Sequence, residues 1–148
     1  MLARQCSLGA LASKEPAGEL VFFIKDNSPF KPDRWLALPR QQIVGFERLA
    51  DLPAETRTAL WTQAIAKAKS LWGDRWGLAY NGDHARSQCQ AHIHIGKLIE
   101  GVESGKFVVV SSPAEIPVPD PNGAWIHAVQ GKLHVHLGEQ LNENVLLR

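Results

Sequence analysis

The sequence predicts an α+β domain: an antiparallel sheet of short strands, one main helix packed on it, and a C-terminal β-hairpin. Three observations carry this reading. Leu60, Trp61, Ala64, Ile65, Ala68, Leu71 and Trp72 recur at steps of three and four, the spacing of one apolar helix face. Residues 88–98 instead alternate polar and apolar, as a strand with two different faces does. Further on, two β-rich runs flank Gln130-Gly131, a dipeptide suited to a two-residue turn.

With 148 residues, 45% of them hydrophobic, the chain can bury one real core and is too short for two comfortable ones. Residues 1–18 read as an N-terminal extension and 19–148 as a single domain. A net charge of +1 gives no field that argues for nucleic acid or a membrane surface, so any anion preference must be local. No run approaches the roughly 20 apolar residues of a spanning helix. Leu8 to Ala12 is mildly apolar but broken by Gly9, with Arg4 as a thin basic flank, a weak signal-peptide pattern. The expected location is cytoplasmic, or periplasmic or membrane-associated if an upstream signal or anchor has been removed. Cys6 and Cys89 make neither a disulfide framework nor the paired spacing of a structural zinc site.

Taken in order, residues 19–26 hold Leu20, Val21, Phe22, Phe23 and Ile24 and end in the polar turn Asp26-Asn27-Ser28-Pro29, which predicts a core strand. Residues 34–38 form a second strand stopped by Pro39. A short helix or turn through Ile43, Phe46 and Leu49 follows. Asp51-Leu52-Pro53 opens the main helix, with proline where the first turn tolerates it, and Gly73 suits its stop. Arg57, Thr58, Lys67 and Lys69 are expected to face water. Residues 76–80 read as a strand feeding Asn81 and a polar loop to Arg86; residues 106–111 as another strand; residues 113–123 as a proline-rich connection that no helix interior accommodates.

The chemistry is expected on the alternating stretch. Gln88, Gln90, His92, His94 and Gly96 share one face, while Ala91, Ile93 and Ile95 share the other. Alternating His-x-His also occurs on solvated strands. A buried strand, however, would leave two imidazoles in register at a cost of roughly 1–3 kcal/mol each unless something engages them.

Asn81, the loop to Arg86-Ser87-Gln88, and His92-Ile93-His94-Ile95 together resemble the histidine triad (HIT) superfamily of nucleotidyl hydrolases and transferases. With Lys25-Asp26, Trp35-Leu36-Ala37-Leu38-Pro39 and Ile43-Val44-Gly45-Phe46-Glu47, the likeness is greatest to the CDP-diacylglycerol pyrophosphatase branch and covers roughly residues 18–100. The resemblance implies a HIT-like fold and hydrolysis or transfer at a nucleotide phosphoanhydride or phosphoramidate bond. A histidine would attack the α-phosphorus and form a nucleotidyl-histidine, without a bound cofactor or metal. It further implies that His94 attacks and His92 assists, with Asn81, Arg86, Gln88 and Gln90 holding ribose and phosphates of a nucleotide or nucleotide-lipid substrate. Phe22, Phe23 and Trp35 are then packing or base-contacting residues. Most HIT proteins read His-x-His-x-His with the middle residue as nucleophile. Spacing from Asn81 makes His94 the middle and Gly96 the third; the other register makes Gln90 first, His92 the middle and His94 third. Attack through one ring nitrogen requires the other to give its proton to a fixed acceptor, which the sequence does not identify. The resemblance leaves a homodimer open, since many HIT proteins pair through helix and sheet edge.

Two further expectations arise from the hairpin. Pairing about Gln130-Gly131 sets His127 opposite His134 and Trp125 opposite His136 on one face, with Ile126, Leu133, Val135 and Leu137 on the other. His127, His134 and His136 would complete the active site where Gly96 leaves a gap, form a separate divalent-metal site of cupin-like kind, or only hydrogen-bond locally. The alternative to an enzyme is a nucleotide-binding or regulatory module that lost catalysis with the third histidine.

Overall fold

The computed structural model describes residues 20–26, 28–40, 48–85, 90–103 and 106–148. Arg86, Gln88 and Cys89, the extension over residues 1–18, and the segment 41–47 lie outside the described residues or almost wholly so.

Seven strands form one antiparallel sheet: β1 (Val21–Lys25), β2 (Trp35–Pro39), β3 (Trp76–Tyr80), β4 (Ile93–Lys97), β5 (Phe107–Val110), β6 (Ala124–Val129) and β7 (Lys132–Leu137). Their spatial order is β1-β2-β4-β3-β6-β7-β5. The predicted α+β class with one main helix is what the chain adopts. That helix, α1 (Ala54–Trp72), buries Leu60, Trp61, Ala64, Ile65 and Ala68 against Ala37, Leu78, Ile93 and Ile95 of the sheet. Each large side chain removed from water there contributes about 1.5–3 kcal/mol.

Pro53 stands at the N-terminal cap of α1 and Gly73 ends it at φ 57. Nothing lies within 4 Å of where a Cβ on Gly73 would sit, so only the backbone resists a side chain there. Gly73→Ala is accordingly expected to cost about 1–3 kcal/mol, read as a shift in the urea midpoint without a change in slope.

Four details differ from expectation. Leu71, expected on the apolar stripe, is exposed. Pro39 is the last residue of β2, paired with Val21, rather than the residue that stops it. Arg57 is half-buried because its guanidinium donates to the carbonyls of Leu49 and Leu52 and ties the preceding turn to the helix. Thr58 and Lys67 are half-buried too, with the Lys67 ammonium 4.2 Å from the Trp35 ring centroid. Phe23 and Trp35 pack on this helix-side core, whereas Phe22 joins Leu36 and Leu38 on the opposite face.

The strand registers define one row of residues across that opposite face. Ile24 pairs with Leu36, Leu36 with His94, His94 with Ala79, Ala79 with Trp125, Trp125 with His136, and His136 with Phe107. Both histidine clusters therefore lie away from α1, three strands apart. The hairpin turn forms as predicted, with Gln130 at φ 51 and Gly131 at φ 79, the backbone that a two-residue connection demands.

Residues 142–147 run over the same face as a strap. Leu146 bridges to Leu98, the Ile99 amide donates to the Val145 carbonyl, and the Leu147 amide donates to the Lys97 carbonyl. Gly77 and Gly96, direct partners on β3 and β4, leave room for Leu146: a Cβ on either would come within 2.7 and 3.2 Å of its side chain. Arg34, 1% exposed, fastens the strap by donating from Nη2 to the carbonyls of Glu143, Leu146 and Leu147. No helix among the described residues is long and apolar enough to cross a membrane.

Candidate active site

His92 immediately precedes β4, and His94 is its second residue. Alternation along the strand brings their rings together, with centroids 4.9 Å apart in an edge-on arrangement, and both residues are buried.

The two imidazoles are held differently. His92 Nδ1 lies 2.9 Å from the carbonyl oxygen of Gln90. A carbonyl can only accept, so Nδ1 carries the proton and, in the neutral ring, Nε2 carries the lone pair. The fixed acceptor that the chemistry requires is thus found on His92, whereas the spacing argument had favoured His94. His94 Nε2 stands 2.9 Å from Glu143 Oε2, at ion-pair distance but off the hydrogen-bonding line, and His94 Nδ1 is buried without a hydrogen-bond partner.

Glu143 is the residue that sequence reading missed, and much of the site converges on it. Lys31 Nζ donates to Oε1 at 2.7 Å, Asn81 Nδ2 donates to Oε2 at 3.3 Å, and Arg34 Nη1 lies 3.8 Å from Oε2. Asn81 also accepts from the amides of Asn142 and Glu143, so its side chain sets the start of the strap. Gln90 Nε2 donates to the Pro39 carbonyl. Asn81 and Gln90, expected on ribose and phosphate, are here engaged in placing the strap and the approach to β4. Arg86 and Gln88 lie outside the described residues.

No protein-family model, curated protein or solved structure matches the chain.

Burial by itself would raise the Glu143 pKa. Its close contact with His94, then the pairing with Lys31, reverse this and hold the carboxyl well below its ordinary range. A folded-state value below the unfolded one contributes stability that is complete above the unfolded pKa and is lost as the pH falls through the folded one. Stability should therefore drop on acidification below about pH 4.3, the ordinary glutamate value. Glu143→Gln should flatten that acid limb in urea titrations, and an unchanged acid limb would show that the carboxylate is not held in this way. The Arg34 pKa is lowered chiefly by burial, with Glu143 opposing the shift.

A cavity of about 460 Å³ opens beside Glu143, lined by Lys31, Arg34 and Arg148 together with Leu146 and Leu147. Glu143 lines the same hollow and is paired there with Lys31 and Arg34, and Arg148 adds a further positive charge.

The hairpin histidines do not reach His94. Trp125 and Ala79 stand between His136 and His94 in the row, a separation of roughly 14 Å at about 4.8 Å per strand. The expectation that they fill the gap left by Gly96 is corrected on this point, because Leu146 and Arg34 lie over Gly96. His127, His134 and His136 gather instead on Glu103, another residue that the sequence did not single out. The Glu103 carboxyl is held below its usual pKa first by the His134 hydrogen bond, while burial lowers that of His136.

Proposed function

We propose that the chain is a HIT-like nucleotide hydrolase or transferase that acts through a nucleotidyl-histidine, with His92 as the attacking residue. The observation that carries this is the Nδ1 contact of His92 with the Gln90 carbonyl, which directs the lone pair of the neutral ring to Nε2. The buried edge contact with His94 and the resemblance noted in the sequence support the same reading.

In the first step the Nε2 lone pair of His92 forms a bond to the α-phosphorus as the phosphorus–oxygen bond to the leaving group breaks. His94, with Glu143 alongside, gives a proton to the departing oxygen. In the second step water attacks phosphorus, the nitrogen–phosphorus bond returns its pair to Nε2, and His94 recovers a proton from the water. The products are a nucleoside monophosphate and the protonated leaving group. Lys31, Arg34 and Arg148 would take the charge of the leaving phosphate, as donors aimed at developing charge do. A lipid-linked cytidine diphosphate is one substrate that fits the resemblance.

The test is a rapid-quench experiment with nucleotides labelled at the α-phosphate: diadenosine polyphosphate, nucleoside phosphoramidate and CDP-lipid. Label stable to alkali and released by acid should appear on the peptide containing residues 90–97 and disappear in His92→Ala. Persistence in His92→Ala with loss in His94→Ala would move the nucleophile to His94. Nucleotide binding without label or monophosphate release would favour the binding module instead.

A further inference from the structure

The hairpin and the loop that follows β4 bring four side chains together. The hairpin turn sets His127 opposite His134, and His136 stands two residues farther along β7 on the same face. Glu103, from the loop that follows β4, reaches into this group with one oxygen. Glu103 Oε1 lies 3.0 Å from His127 Nε2, in hydrogen-bond contact with His134 Nδ1, and 3.5 Å from His136 Nε2. The ligand atoms of Glu103, His127 and His134 all fall within 4.8 Å of one another.

Hydrogen bonding alone accounts poorly for this arrangement. One carboxylate oxygen offers lone pairs for about two well-aligned donors. Three ring nitrogens approach it, and His136 Nε2 is buried with no hydrogen-bond partner. An unsatisfied buried nitrogen costs roughly 1–3 kcal/mol. A cation at the centre removes the conflict, because each neutral imidazole then directs a lone pair inward. Around a tetrahedral ion with bonds of about 2.0–2.1 Å, donor atoms stand roughly 3.4 Å apart. The observed 3.0 and 3.5 Å bracket that value.

The rings are also held before any ion arrives. Trp125 stacks on His136 with centroids 3.6 Å apart and planes 7° from parallel, and Phe107 stacks on His134 at 4.3 Å and 13°. Locking ligand side chains in this way reduces what binding must order. A cavity of about 250 Å³, lined by Glu103 and His127 with Asp74, Arg75 and Glu100, offers a route for an ion.

We propose that His127 Nε2, His134 Nδ1 and Glu103 Oε1 form a binding site for a divalent first-row transition metal, zinc foremost, with His136 Nε2, 3.5 Å from Glu103 Oε1, the nearest group for a fourth position. Imidazoles with one carboxylate suit zinc, whereas calcium and magnesium take oxygen ligands. The site is separate from His92 and His94 and does not rest on the activity proposed for them.

Full-length protein stripped with a chelator and titrated with zinc chloride is the test, read by elemental analysis after gel filtration and by competition with a chromophoric chelator. One zinc per chain is expected, with a dissociation constant on the order of 1 μM or tighter, and a thermal midpoint that rises with zinc concentration. The double variant His134→Ala/His136→Ala should lose affinity by about a hundredfold or more, Glu103→Gln by about tenfold, and His94→Ala not at all. Should the double variant fail to fold, His134→Asn and Glu103→Gln, each checked by circular dichroism, carry the comparison. Equal zinc affinity in parent and variants, or substoichiometric zinc on the parent, would overturn the site. A midpoint raised by magnesium or calcium but not by zinc would overturn the assignment of the ion.

Discussion

Replacing His92 with alanine is expected to leave a folded chain whose turnover of nucleotide anhydrides falls by roughly four orders of magnitude or more. The size of the effect follows from the proposed role: without Nε2 there is no first bond to phosphorus, and neighbouring groups can only position the substrate. His94→Ala should be milder, about 10²- to 10³-fold, as befits a group that moves a proton and leaves the nucleophile in place. The split should show in kcat rather than KM for both. Glu143→Gln probes a different quantity, because it removes the carboxylate from Lys31, Arg34 and His94 without shortening the side chain. Steady-state kinetics with circular dichroism on each variant checks all three. Comparable losses in His92→Ala and His94→Ala would refute the division of labour between the rings.

Gly96→His, which would restore the outline of a three-histidine motif, is expected to lower both stability and activity. Its Cβ would stand 3.2 Å from Leu146 Cβ and 3.5 Å from Arg34 Nε, before the ring itself is placed. The imidazole can be seated only by lifting the strap, and overpacking of that kind costs about 1–3 kcal/mol. Lifting the strap also draws Glu143 away from His94, so turnover should fall. Urea unfolding and turnover measured together decide the matter; a variant as stable as the parent and more active would show that the strap is not what occupies this position.

The difference between these two predictions reflects what the sequence makes legible. α1 could be read because its apolar residues repeat locally, and the hairpin because Gln130-Gly131 fixes the register of everything on either side. The pairing of Trp125 with His136 and of His127 with His134 follows from that turn alone. His92 and His94 share a face for the equally local reason that strand side chains alternate. Glu143, Lys31, Arg34 and Glu103 carry no such signal. Glu143 meets Lys31 across 112 positions and Asn81 across 62, and no periodicity connects segments so far apart. Gly96 misled for the same reason. Within the strand it looks like a missing ligand, while its role is to clear space for Leu146, a residue 50 positions away. The contact of His92 Nδ1 with the Gln90 carbonyl was likewise hidden, since it depends on where one carbonyl points.

The strap is expected to close late in folding. Its floor consists of β3 and β4, which pair with each other, and β4 also pairs with β2 from before α1. Contacts between segments so distant in the chain form slowly, because loop closure must precede them. A refolding chain is therefore expected to acquire its helix and hairpin early, before Glu143 reaches His94. The activity proposed for His92 is expected to appear with the slowest kinetic phase, after most helical signal has returned.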